Sequence, residues 1–163
     1  QMCIRDRFAV GGTPSDCVIL ALEQLMDQKP DLVLSGINAG MNVADDVLYS
    51  GTIAAAMEAT LQGVPAIALS QRNGGIERDD FAAATAHGEY VIRYLVDHGW
   101  PERTIMNVNF PSCDAARAEV VKGNPLDLVH HQDQLLVVRL AQLRVALDRR
   151  RALEHLLRLR EHL

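Results

Sequence analysis

The strongest constraint on the fold is a regular alternation between apolar runs and helix-forming segments. A continuous apolar run at residues 31–35 is typical of a strand covered on both faces, and residues 64–70 and 104–110 are predicted to form two further strands. Helical spacing of apolar residues lies between them, at residues 50–62 and 80–98. This order predicts an α/β fold built on a parallel sheet with right-handed crossovers.

The first helix has a well-marked beginning. A short apolar strand end is predicted at residues 8–10, followed by a glycine turn. Thr13 is a natural N-cap, Pro14 occupies the first helical position, and Asp16 lies in the first turn near the positive end of the helix dipole. We therefore expect a helix from Pro14 onward.

Composition narrows the functional class. The 163 residues suffice for one domain, and no apolar run approaches the ~20 residues of a membrane span. The formal charge of −5 argues against a broad surface for nucleic-acid duplexes. Three scattered cysteines without a CxxC pair predict neither a zinc site nor a redox dithiol, and they favour a reducing cytoplasm.

The stretch "SGINAGMNVADDVLYSGTIAAAME", residues 35–58, concentrates the site-forming features. It begins at the carboxyl end of a predicted strand, where ligands bind in open parallel sheets. Asn38 and Asn42 offer neutral oxygen ligands suited to Mg²⁺ or Mn²⁺. The helix start at residues 49–52 offers unpaired N–H groups and two hydroxyls, Ser50 and Thr52, which predicts phosphate binding.

Other interpretations of these residues stay open. A glycine loop after a strand can be a tight connection only, and this one matches neither the dinucleotide nor the P-loop fingerprint. Asp45 and Asp46 could be metal ligands, although capping and dipole compensation is the commoner role for such a pair. His130 and His131 resemble a metal pair, but we favour a solvated loop.

Residues beyond Gly123 differ in composition from the rest. They are rich in Leu and Arg, and Leu136, Leu140, Leu143 and Leu147 fit an amphipathic helix. We predict a helical tail at residues 124–163 with no sheet element.

Four ordered blocks carry a family resemblance. "GTPSDCV", "PDLVLSGINAGMNVADDVLYSGTIAAAMEA", "GVPAIALS" and "MNVNFP" together resemble the SurE family of 5′/3′-nucleotidases. The resemblance covers residues 8–123. It implies a Rossmann-like α/β core with helices on both faces, and a cytoplasmic homodimer or tetramer that removes phosphate from nucleoside monophosphates with a divalent cation, Mg²⁺ or Mn²⁺.

The resemblance also implies roles for individual residues. Asn38 matches the family's asparagine metal ligand, and Asn42, Ser50, Gly51 and Thr52 match residues around the phosphate pocket. The family's Asp-Asp metal motif on its first strand has no match here, nor does its C-terminal region. We therefore expect a fragment with a foreign leader at residues 1–7, and the catalytic residues are unknown. The alternative is a non-catalytic nucleotide- or phosphate-binding fragment.

Overall fold

The computed structural model describes residues 7–72, 81–112, 119–123 and 134–141. In chain order the elements are α1 (Pro14–Leu20), β1 (Val33–Ala39), α2 (Asp46–Tyr49), α3 (Gly51–Leu61), β2 (Ala66–Gln71), α4 (Ala82–His98), β3 (Thr104–Phe110), β4 (Glu119–Gly123) and β5 (Gln134–Ala141). α1 continues into a π-helical turn at Ala21–Leu25.

The five described strands form one sheet in the order β1-β2-β3-β5-β4. β1, β2 and β3 are parallel, as the alternation predicts, and they are joined through helices. β5 pairs antiparallel to β3, with Thr104 opposite Ala141, and β4 pairs parallel to β5. The predicted parallel α/β core is therefore confirmed for β1 to β3, while β4 and β5 run in the opposite direction.

Helices cover both faces of the parallel strands, as the resemblance implies. On one face, α3 packs Ile53, Ala56 and Ala59 against Ala66 and Ala68 of β2. On the other face, buried residues of α4 pack against β2 and β3; they are Ala83, Ala84, Val91 and Leu95. Alternation along β2 and β3 assigns every second side chain to the α3 face.

α1 begins as the sequence predicts. The Thr13 backbone N–H donates to Asp16 Oδ2 at 2.7 Å, and the Asp16 N–H donates to Thr13 Oγ1 at 3.3 Å. This reciprocal pair is a capping box, with Pro14 at the first helical position. It satisfies donors that a helix start leaves without an intrahelical partner.

Two segments have a different kind of secondary structure from the one predicted. Residues 8–10 are not in a strand. The helical tail is also contradicted at Gln134–Ala141, which is β5. Its Leu-Leu-Val-Val run is β-favouring, and pairing to β3 outweighs the helical spacing of its leucines. Residues 124–133, with His130 and His131, and residues 142–163 lie outside the described part of the chain.

Within the described residues, no helix combines the length and the hydropathy that crossing a membrane would require.

Candidate functional site at the carboxyl end of the sheet

β1 passes through the glycine-containing segment instead of ending at Ser35. Ser35 pairs with Ala68, and the register then shifts so that Asn38 pairs with Ser70. Gly36, at φ +123°, absorbs this bulge, and a Cβ there would overlap the carbonyl oxygen of Leu69. Glycine is therefore required at this position for close backbone approach.

The bulge determines which way Asn38 faces. Because paired residues of parallel strands share a face, Asn38 lies on the α3 face with Ser70. Asn38 is half-buried, and its Nδ2 donates to the carbonyl of Gly40 at 2.9 Å. The side-chain amide is thereby fixed in orientation, with its oxygen the group left to act as a ligand.

A buried polar cluster lies beside Asn38 on the same face. Its four members are Asn42, Ser70, Asn107 and Asn109, which are at most 3% exposed. Asn42 Nδ2 donates to Ser70 Oγ at 2.6 Å, and Asn109 Nδ2 donates to Asn107 Oδ1 at 3.2 Å. Ser70 and Asn109 lie near the carboxyl ends of β2 and β3, and Asn107 lies in the middle of β3.

Asn42 is the centre of this cluster. Its backbone N–H donates to Asn109 Oδ1 at 2.7 Å. Its carbonyl accepts from Asn107 Nδ2 at 2.8 Å and from Asn109 Nδ2 at 3.3 Å. The main chain at Asn42 is thus held by side chains that lie 65 and 67 residues further along. Direct contact of Asn42 with phosphate stays a prediction.

The amino terminus of α3 lies on the same face of the sheet. Ser50 is its N-cap, and Ser50 Oγ accepts from the Ile53 N–H at 3.2 Å. Gly51 is packed against α1, because a Cβ on Gly51 would lie 2.9 Å from Pro14 Cγ. Gly51 and Thr52 are half-buried, and their N–H groups belong to the first helical turn, which has no intrahelical acceptors.

The acidic pair before α3 lies in a short helix. Asp45 is the N-cap residue of α2 but makes no side-chain capping bond, and Asp46 lies in the first turn. Both residues are exposed. Among the described residues, no three His, Cys, Asp or Glu side chains lie close enough to hold a metal ion. The structure therefore supports dipole compensation for Asp46 and gives no support to a metal-binding role for the pair.

A separate cavity of about 440 Å³ lies on the opposite face of the sheet. Ile37, Leu69 and Phe110 form its floor, and α4 contributes Gly88 and Ile92 to its wall. It is mostly apolar. The sheet separates this cavity from the polar residues around Asn38.

Three of these polar residues were missed from the sequence, namely Ser70, Asn107 and Asn109. The two asparagines alternate along a buried strand, so both point to one face. Asparagine is depleted in strands, and a pair of buried ones at this spacing is the feature that could have indicated a polar site.

Comparison with known families decides what these residues belong to. The family model "Survival protein SurE" matches residues 3–132, which include Asn38, the buried polar cluster and the start of α3. The chain belongs to the SurE family. The domain boundaries predicted at residues 8 and 123 remain predictions.

Curated SurE relatives are similar over most of the chain. A 5′-nucleotidase SurE from Methylocella silvestris is 49% identical over 118 residues, covering 71% of this chain and 47% of the relative. One from Methylorubrum populi is 48% identical over 134 residues, covering 80% of this chain and 52% of the relative. The chain thus spans about half the length of these relatives.

A solved SurE structure supports the fold. The SurE protein from Aquifex aeolicus superimposes with a TM-score of 0.72 at 26% sequence identity. The match covers 90% of this chain and 73% of that chain. The Rossmann-like α/β core of SurE is therefore present here.

Proposed function

We propose that the chain forms part of a 5′-nucleotidase that hydrolyses the phosphomonoester of nucleoside monophosphates. The observation that carries this proposal is the identity of about half the aligned residues with relatives named 5′-nucleotidase SurE. The family match spans the polar residues at the carboxyl end of the sheet. That position is where ligands bind in open α/β sheets.

In this proposal, the phosphate group lies between Asn38 and the first turn of α3. The N–H groups of Gly51 and Thr52 point out of the helix start and donate to phosphate oxygens, supported by the helix dipole. Ser50 and Thr52 add hydroxyl donors. Because Gly51 has no Cβ, its backbone can approach an oxygen closely. Such local donors bind an anion even in a chain with a net charge of −5.

The described residues do not by themselves fit a divalent cation. A hard cation takes several oxygen ligands, usually including carboxylates, and Asn38 offers one neutral oxygen. The described residues contain no acidic or histidine cluster that would supply the rest. The role proposed for these residues is therefore confined to holding and orienting the phosphate. Dependence on Mg²⁺ or Mn²⁺ stays a prediction, as do cytoplasmic location and a homodimer or tetramer.

The direct test is phosphate release by the purified chain. Each 5′- and 3′-nucleoside monophosphate is incubated with Mg²⁺, Mn²⁺ or EDTA. We expect phosphate release that falls sharply in Asn38→Ala and persists in Gln28→Ala, a substitution at an exposed site after α1. The EDTA arm tests separately whether a divalent cation is needed. Circular dichroism of each variant establishes that the fold is retained.

Two results would contradict the proposal. Release that is unchanged in Asn38→Ala would remove the role assigned to this residue. Nucleotide binding by folded protein without any release would favour a non-catalytic phosphate-binding fragment instead.

A further inference from the structure

We propose that Ser70, Asn107 and Asn109 are positioning residues that hold the segment between β1 and α3, residues 40–50, in place for phosphate binding. This segment connects Asn38 to the cap of α3, so its path sets the distance between the two halves of the proposed phosphate site. The phosphate-binding part of this inference rests on the proposed function. The structural part, that these side chains hold the segment, can be tested separately.

The geometry of Asn109 carries the first step. Its side-chain amide bonds to both backbone polar groups of Asn42, with Oδ1 accepting at 2.7 Å and Nδ2 donating at 3.3 Å. An amide side chain used in this way replaces the partner that a neighbouring strand would supply. Asn109 thus attaches the segment that follows β1 to β3, a strand in the interior of the sheet.

Ser70 and Asn107 fix the remaining groups of Asn42. Asn107 Nδ2 donates to the Asn42 carbonyl at 2.8 Å, and Ser70 Oγ accepts from Asn42 Nδ2 at 2.6 Å. Four polar groups of the cluster therefore converge on one residue of the segment. A further attachment lies two residues before Asn42, where the Gly40 N–H donates to the Gln71 carbonyl at 2.8 Å.

Burying these polar side chains costs free energy, which argues that the cluster does more than fill the core. Ser70, Asn107 and Asn109 are at most 1% exposed. Other buried positions of β2 and β3 on the same face carry apolar residues, namely Ala66, Ala68 and Ile105. Burying amides and hydroxyls is favourable only when each finds a partner, and apolar side chains would fill the same positions more simply. Asn107 and Asn109 find their partner in the backbone of Asn42, and Ser70 finds it in the Asn42 side chain.

The register connects the cluster to the proposed phosphate site. Ser70 pairs with Asn38 across β1 and β2, and Asn109 pairs with Ser70 across β2 and β3. Asn38, Ser70 and Asn109 therefore form a row on the α3 face. Displacing Asn42 would move the chain between Asn38 and Ser50, which we expect to weaken phosphate binding.

The test combines hydrogen exchange with nucleotide binding on the full 163-residue chain. Asn109→Ala removes both bonds to the Asn42 backbone, and Ser70→Ala removes a single acceptor. The control is Thr60→Val, which removes a buried bond to the Ala56 carbonyl within α3 and leaves the 40–50 segment untouched. Amide exchange is followed by mass spectrometry, and AMP affinity by calorimetry. If Asn109→Ala fails to fold, Ser70→Ala carries the test.

We expect both cluster variants to accelerate exchange in residues 40–50 by about tenfold or more, with β2 and β3 still protected. AMP affinity should fall about tenfold in each, the usual consequence of losing buried hydrogen bonds that fix a binding geometry. Thr60→Val should lower the melting temperature without either effect. A role in overall stability alone would not separate the variants in this way.

Three outcomes would overturn the inference. Unchanged exchange in residues 40–50 would show that the cluster does not hold the segment. Faster exchange with unchanged AMP affinity would show that the position of the segment does not affect phosphate binding. Equal effects of Thr60→Val on amide exchange and AMP affinity would show that the cluster contributes only to overall stability. Absence of AMP binding by the unsubstituted chain would overturn the proposed function, and exchange alone would then decide whether the segment is held.

Discussion

The carbonyl oxygen of Leu69 occupies the space where a side chain on Gly36 would begin. Gly36 also has a φ of +123°, a conformation that L-residues rarely adopt. These two constraints coincide at the bulge that brings Asn38 opposite Ser70. The orientation of Asn38 therefore depends on a glycine two residues before it.

Gly36→Ala should destabilise the chain more than an alanine substitution at another glycine with a positive φ. The control is Gly63→Ala, because Gly63 has a φ of +84° and no atom within 4 Å of the position that a Cβ would take. The free energy of unfolding should fall by about 1–3 kcal/mol in the control. It should fall further in Gly36→Ala, because overlap with Leu69 is added to the backbone strain. Urea unfolding measures both. Equal losses would mean that the contact with Leu69 is relieved without cost.

Gly51 and Pro14 should show energetic coupling. Gly51→Ala forces its Cβ against Pro14 Cγ, which lies 2.9 Å away, and the starts of α1 and α3 must separate. Pro14→Ala removes the ring carbon that is in the way. We expect the double variant to be more stable than the sum of the single losses predicts, by about 0.5–3 kcal/mol. Strictly additive losses in chemical denaturation would contradict this contact.

Thr13 should stabilise α1 through its side-chain oxygen. Thr13→Ala removes the acceptor for the Asp16 N–H and should cost about 1 kcal/mol, whereas Thr13→Ser keeps that acceptor and should cost little. Thermal unfolding of the two variants measures the difference. The same melting temperature for both would show that the Thr13 side-chain oxygen contributes nothing measurable to stability.

Ser50 offers a way to separate capping from phosphate binding. Ser50 Oγ accepts from the Ile53 N–H, and aspartate is an equally good N-cap. Ser50→Asp should therefore keep the melting temperature, but its negative charge should repel phosphate and lower AMP affinity at least about tenfold. Ser50→Thr keeps both the cap and the hydroxyl and should bind AMP normally. Normal AMP affinity in Ser50→Asp would exclude phosphate from the start of α3.

The sequence predicts the elements whose local chemistry and tertiary surroundings agree. Thr13 and Pro14 mark the start of α1, α3 begins near residue 50, and β3 occupies residues 104–110, as predicted. In each case the local sequence and the surrounding fold favour the same secondary structure. Local consistency of this kind makes a boundary readable from sequence.

The missed features depend on partners far along the chain. β1 was expected to end at Ser35, because Gly36 is typical of a strand end, but pairing with β2 resumes at Asn38. The leucine spacing of residues 134–141 predicts a helix, because this spacing does not reveal the pairing of β5 with β3. Hydrogen bonds from neighbouring strands determine both the length of β1 and the strand conformation of β5.

The candidate site was also predicted only in part. The glycine-rich stretch predicts Asn38 and the start of α3 as site residues, because residue type and position within one segment are informative there. Asn107 and Asn109 lie 65 and 67 residues beyond Asn42, and no local pattern connects them to it. Only the fold brings them into contact.

The most direct test of the account is to locate the phosphate on the chain by nuclear magnetic resonance. Amide shifts of the labelled chain are compared during titration with AMP and with adenosine. The account predicts phosphate-dependent shifts, absent with adenosine, at Asn38, Asn42, Gly51 and Thr52. Phosphate-dependent shifts centred instead on Leu69, Gly88 and Phe110, around the cavity on the opposite face, would contradict it.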